Sequence, residues 1–137
     1  MFKKFLFGIL LTAWAFSVYA QETEGATVIF YRDKMLLPQH GMAVISVAHD
    51  EVLVFLKYKT FFQHHTTELG EWNFIGGVGK NLSAQLNLTL EEGKTYYVRC
   101  WMAEAGLLKY TANFELVDET TALPVIKKYK EMKTKNK

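Results

Sequence analysis

Leu82-Ser83-Ala84-Gln85-Leu86-Asn87-Leu88-Thr89-Leu90, continuing through Glu91-Glu92-Gly93-Lys94 into Thr95-Tyr96-Tyr97-Val98-Arg99-Cys100-Trp101, is the stretch that decides the fold. Leucine or alanine at every second position, with a polar residue between each pair, is the period of a strand with one face in a core and the other in water. Gly93 supplies the positive φ that closing a tight turn requires, so the stretch reads as a β-hairpin. Leu107 to Val117 repeats the pattern, with Leu108, Tyr110, Ala112, Phe114 and Leu116 set against Lys109, Thr111, Asn113 and Glu115.

Working outward, Thr27-Val28-Ile29-Phe30-Tyr31-Arg32 is dense in β-branched and aromatic residues and reads as the first strand. Met42 to His49 and Val52 to Leu56 are joined by Asp50-Glu51 as a tight hairpin. Both are apolar on two faces, which calls for sheet neighbours on each side or for another chain. Lys57 to His65 becomes a separate strand if the chain bends near Lys57 or Lys59, and Glu71 to Ile75 is a further short one. Asp33 to Gly41 is a loop whose Met35-Leu36-Leu37 either folds over one end of the core or forms an exposed contact patch. Gly76-Gly77-Val78-Gly79-Lys80-Asn81 reads as a mobile connection. It fails the phosphate-loop pattern, because Phe74 stands where a glycine is needed and Asn81 where Ser or Thr is needed.

The two ends differ from this body. Lys3 and Lys4, an apolar run from Phe5 to Ala15, and Val18-Tyr19-Ala20 have the layout of a signal peptide, too short for a membrane span. The expected division is a removable signal peptide at 1–20, a loose start at 21–25, a β-sandwich domain at 26–117, a C-terminal helix at 118–132 and a basic tail at 133–137. No cysteine lies near the cleavage point to carry a lipid, so a periplasmic or secreted protein without a stable membrane anchor is expected. The helix follows from Asp118-Glu119-Thr120-Thr121 as capping residues, Pro124 in a first turn, and a stripe of Ala122, Ile126 and Tyr129.

The formal charge of +2 conceals a division. Residues 127–137 hold six lysines against Glu131, whereas residues 21–126 are net acidic. Such a tail is either a solvated end or a contact for an anionic partner. The lone Cys100 has no internal partner and is expected as a buried strand thiol, so packing holds the domain. A chain of this size buries roughly 65% of its unfolded surface, enough for a single core. The expected class is an all-β, small antiparallel sandwich of about seven strands with a short C-terminal helix.

Ala26 to Arg32, Glu68-Leu69-Gly70-Glu71-Trp72-Asn73-Phe74, Leu90-Glu91-Glu92-Gly93-Lys94-Thr95-Tyr96-Tyr97-Val98-Arg99 and Leu116-Val117-Asp118-Glu119 fall in an order that resembles a bacterial domain-of-unknown-function family. That family consists of small exported proteins and lipoproteins, similar to the PEGA-type β-sandwich modules of cell envelopes. The resemblance implies an envelope β-sandwich and carries no catalytic residues. Many members begin with a lipidated cysteine, which this chain lacks.

Chemistry has few places to reside. His64 and His65 are adjacent on a strand and point to opposite faces, His40 and His49 sit in or beside turns, and no thiolate pair or helical His spacing is present, so no metal or cofactor is expected. There is no nucleophile elbow, and Ser46 and Ser83 are the only serines after residue 20. An enzyme is not expected. Surface aromatics are the remaining lead: Tyr97 and Trp101 flank Arg99 on one strand face, and with Trp72 they form a candidate ligand or glycan site if nothing covers them. The alternative is that this face packs under the helix or on the other sheet. The primary expectation is a non-catalytic interaction or accessory module whose partner is an envelope protein or cell-surface component, with no nucleic acid. A small-ligand or glycan binder is the alternative, and a His-based or metal-dependent enzyme the second.

Overall fold

The computed structural model describes residues 24–37 and 39–135, and these form eight strands and one helix. The expected signal peptide, residues 21–23 of the loose start and the last two residues of the tail lie outside the described residues. The strands are β1 (Ala26–Arg32), β2 (Met42–Ser46), β3 (Glu51–Leu56), β4 (Phe61–Thr66), β5 (Gly70–Val78), β6 (Asn81–Leu90), β7 (Thr95–Gly106) and β8 (Lys109–Val117), followed by α1 (Glu119–Lys135). One sheet has the order β4-β1-β7-β8 and the other β3-β2-β5-β6. The class is therefore the all-β sandwich with a C-terminal helix.

The stretch that decides the fold is not a hairpin. β6 pairs with β5 in the second sheet, whereas β7 pairs with β8 and, in parallel, with β1 in the first. Glu91–Lys94 carries the chain from one sheet to the other. Alternation assigns faces but not partners, and here the inward leucines of β6 and the inward Tyr96, Val98 and Cys100 of β7 meet the same core from opposite sides. The turn is held by the start of the chain: Gly93 N donates to Gly25 O at 2.7 Å, Gly25 N to Glu92 Oε1 at 2.7 Å and Thr27 N to Lys94 O at 3.0 Å. Gly93 has φ of 76°, a conformation that glycine adopts without strain.

Between the sheets, Phe30 packs edge-on against Phe74 with centroids 5.2 Å apart, and against Phe114 at 5.9 Å. Burying a side chain of this size stabilises by roughly 2–3 kcal/mol. Gly76 belongs to this core and not to a mobile connection. A Cβ there would stand 2.4 Å from both Phe114 Cζ and Ala43 O, so the missing side chain makes the space that the Phe114 ring fills. β5 consequently runs on to Val78, and only Gly79-Lys80 form the turn. On that side the sandwich is stitched by β6 side chains: the Asn81 amide donates to Tyr110 O, and Ala112 N donates to Ser83 Oγ at 2.7 Å.

Arg32 ends β1 and is fully buried. Among the described residues it forms no salt bridge. Its guanidinium donates to the carbonyls of Leu37 at 2.8 Å, Leu56 at 3.0 Å, Leu36 at 3.2 Å and His40. Burial lowers its pKa, and the carbonyl dipoles replace water around the charge. The arginine thereby fixes the 33–41 loop over one end of the core. Leu36 and Leu37 pack on the core, while Met35 is 66% exposed. Cys100 is also fully buried, and burial pushes its thiol well above the usual range.

α1 lies on the outer face of the first sheet. Asp118 caps it, its Oδ1 accepting from Thr121 N at 2.8 Å and Thr120 Oγ1 at 2.9 Å. Ala122, Ile126 and Tyr129 are buried against Tyr31, with Ile29, Phe61, Tyr97 and Val117 around them. Pro124 falls in the second turn, where it withholds the donor for the Thr120 carbonyl; Thr120 is exposed, and solvent can serve that group. The helix continues through Lys135, past the expected end at Met132, which packs on this second cluster.

Candidate functional site

Tyr97, Arg99 and Trp101 project from one face of β7, but the structure gives each a different occupation. Tyr97 lies against the start of α1, and burial raises its pKa, as does the nearby Glu119. Arg99 Nε donates to Asp33 Oδ2 at 2.6 Å, and its guanidinium carbon stands 4.5 Å from the Trp101 ring centroid. Burial pulls the Arg99 pKa down, yet the hydrogen bond and charge of Asp33 outweigh it and leave it raised. Lys34 takes a second place on the same indole at 5.3 Å. Tyr97 is thus taken up by the helix, and the Arg99 cation and Trp101 ring that a sugar or peptide would stack on are already set against each other.

Trp72 does not join them. It points into the core from β5 in the other sheet, is 4% exposed, and donates its indole N–H to Glu68 O at 3.0 Å. It has to be removed from the candidate surface, because the inward register of Trp72 and Phe74 on β5 is the register of the core.

Around Trp72 the structure assembles a group that sequence reading missed. His49 stacks on the indole at 4.5 Å and His64 meets it at 5.2 Å. Ser46 Oγ lies 3.0 Å from His49 Nδ1, and His49 Nε2 lies 2.5 Å from Glu68 Oε2. A serine, a histidine and a carboxylate in line have the composition of a nucleophilic relay. Ser46, however, is fully buried, so its hydroxyl cannot reach a substrate, and the relay ties the 47–50 turn to the 67–69 turn instead. Ser46-x-x-His49 was the only local signal for it; Glu68 arrives through the fold. His64 turns inward with Nε2 unpartnered, and desolvation lowers its pKa, while His65 turns outward to Thr27 Oγ1 at 2.9 Å. Among the described residues no group of three or more His, Cys, Asp or Glu side chains is placed to hold a metal ion.

Two further surfaces bear on function. The first is a groove of about 480 Å³ between the 57–60 turn and the end of α1, lined by Tyr58, Lys59, Phe61, Tyr129, Met132 and Lys133. Lys59 holds φ of 61° there, a left-handed conformation that a non-glycine residue adopts at some cost. The second is the outer face of the second sheet. Register places Phe55, Ala43 and Gly77 in one row across β3, β2 and β5, and Val52, Ile45 and Ile75 in the next. Phe55 is 65% exposed and Val52 46%, on a strand that is the edge of its sheet among the described residues. This is the apolar patch foreshadowed by the two-faced β2 and β3 sequences, and its centre is Phe55 and not Met35 to Leu37.

Comparisons of this chain with family models, with curated proteins and with solved structures find no match.

Proposed function

We propose that this chain is a non-catalytic, exported β-sandwich module of a bacterial cell envelope that serves as an interaction or accessory protein for another envelope component. The observation that carries the reading is the exposure of Phe55 and Val52 on the outer face of β3, next to half-buried Ile45 and Ile75 and at a strand edge that carries no ladder among the described residues. An uncovered apolar face beside a free edge strand offers a partner both backbone hydrogen bonds and side-chain burial. Export rests on the N-terminal sequence pattern, and membership of a PEGA-like group rests on the strand and turn resemblance. The glycan-binding alternative is the weaker reading, because Arg99 and Trp101 already stack on each other.

Site-specific photo-crosslinking in the native cell tests this. A benzoylphenylalanine at position 55 is expected to yield a discrete adduct, and the same probe at Asn87, on the polar side of the same face, is expected to yield none. No adduct from position 55, or the same adducts from both positions, would sink the reading.

A further inference from the structure

The strand directions sort the loops of this sandwich into two ends. The 33–41 loop, the 57–60 turn, Gly79-Lys80 and the Gly106–Lys109 hairpin lie at one end, as β1 and β7 run parallel and Lys59 N donates to Arg32 O. The 47–50, 67–69 and 91–94 turns and the start of α1 lie at the other. Charge follows the same division. The first end presents Lys34, Lys57, Lys59, Lys80 and Lys109, joined by Lys128, Lys130 and Lys133 as α1 arrives, with Lys130 5.7 Å from the Phe61 ring centroid. Its acids are Asp33, already bonded to Arg99, together with Glu104 and Glu131. The opposite end presents Asp50, Glu68, Glu91, Glu92, Asp118 and Glu119, and Lys94 there is paired with Glu91.

The lysine end also carries the most exposed apolar side chains of the described residues. Leu107 is 91% exposed, Leu108 86% and Met35 66%. Hairpin tips are normally built from polar turn formers, yet this one is Gly106-Leu107-Leu108-Lys109. Leu108 holds φ of 56°, where glycine or asparagine is the less strained choice. Apolar prongs next to Lys109, at the end of the sandwich that gathers these lysines, match the chemistry of an anionic bilayer surface, with acyl chains for the leucines and phosphate headgroups for the ammonium groups.

We propose that the lysine end of the sandwich docks peripherally on anionic phospholipid, with Leu107 and Leu108 entering the acyl boundary and the lysines of that end attracted to the headgroups. This surface is separate from the bare sheet around Phe55, so the protein would hold a membrane at one end while its flank stays free for a partner.

The test is co-sedimentation of the protein, recovered as the cell accumulates it and with its N-terminus read by mass spectrometry, with two kinds of vesicle. One kind is an equal mixture of phosphatidylglycerol and phosphatidylcholine, the other phosphatidylcholine alone. Binding to the anionic vesicles is expected, weakened by raised salt. Leu107→Ser with Leu108→Ser is expected to lower it about tenfold, and each of Lys34→Glu and Lys109→Glu by about fivefold or more. Because every variant keeps the same N-terminus, that segment cancels from the comparison. A Leu107→Trp variant whose fluorescence is quenched by brominated lipid would show entry directly. Equal binding to neutral vesicles, anionic binding untouched by the leucine changes, or no vesicle binding at all overturns the proposal. Capture of a protein by this end without any lipid binding overturns it as well.

Discussion

The two sheets have outer faces of similar apolar character and opposite fates. On the first, Ile29, Tyr31, Tyr97 and Val117 are covered by α1, which contributes Ala122, Ile126 and Tyr129. On the second, Phe55 and Val52 are exposed and Ile45 and Ile75 half-buried, with no helix over them among the described residues. The difference teaches that apolar residues on a strand's outer face demand a cover without saying where it comes from. The chain supplies one cover from its own C-terminus, and on the proposed reading a partner supplies the other.

The contrast can be broken most forcefully at the covered face. Ile126→Ala, which empties a fully enclosed site, is expected to cost about 3 kcal/mol, read from urea unfolding. A change under about 0.5 kcal/mol, the range of ordinary surface substitutions, would mean that the helix seat contributes little. Asp118→Ala removes the helix cap and is expected to lower Tm by a few degrees, with loss of helical circular dichroism while the strand signal stays.

A pH series sharpens the comparison at the acid end. Burial holds the His64 pKa below its ordinary 6.5, against the pull of Glu51 and with help from His49 and His65. Below pH 6.5 the unfolded chain takes a proton that the folded chain resists, so the stabilisation is present above that pH and is lost as pH falls through the folded value. Tm is therefore expected to decline from pH 7 toward pH 5, and His64→Leu should flatten that decline. An unchanged slope in the variant would place the pH response elsewhere.

The smallest effect is expected on the bare face. Phe55→Ser should change the free energy of unfolding by less than about 0.5 kcal/mol, because that ring is already 65% exposed in the folded chain. A loss comparable to Ile126→Ala would show that the ring is structural and remove the basis of the proposed interface.

How much of this was legible varies with the range of the signal. The inward Ala84, Leu86, Leu88 and Leu90 of β6 and Tyr110, Ala112 and Phe114 of β8 could be read from alternation, as could the buried stripe of α1, but Leu82, Leu108 and Leu116, assigned to the same faces, are exposed, Leu108 in the turn before β8. Pairing could not: the Glu91–Lys94 turn has hairpin chemistry but serves as a crossover, since the choice of neighbour depends on β1 and β5, far away in sequence. Arg32 in the interior was equally hidden, because its partners are backbone carbonyls of a loop, which leave no mark on residue type. For the site, Tyr97, Arg99 and Trp101 do share a face, as period two requires. That Asp33 would occupy Arg99, and that Trp72 would belong to the core, are tertiary facts.

The parallel pairing of β1 with β7 also has a consequence in time. Thr27 to Arg32 align with Thr95 to Cys100, so β1 has one bare edge from the time it leaves the ribosome until β7 follows it. Ladders of such long sequence separation close slowly, since loop entropy is lost before any contact returns it. Until then Val28, Phe30 and Tyr31 form an apolar strand with half a ladder. The completion of this sandwich is set by the far end of its chain, and a nascent protein stopped before Thr95 would still be waiting to fold.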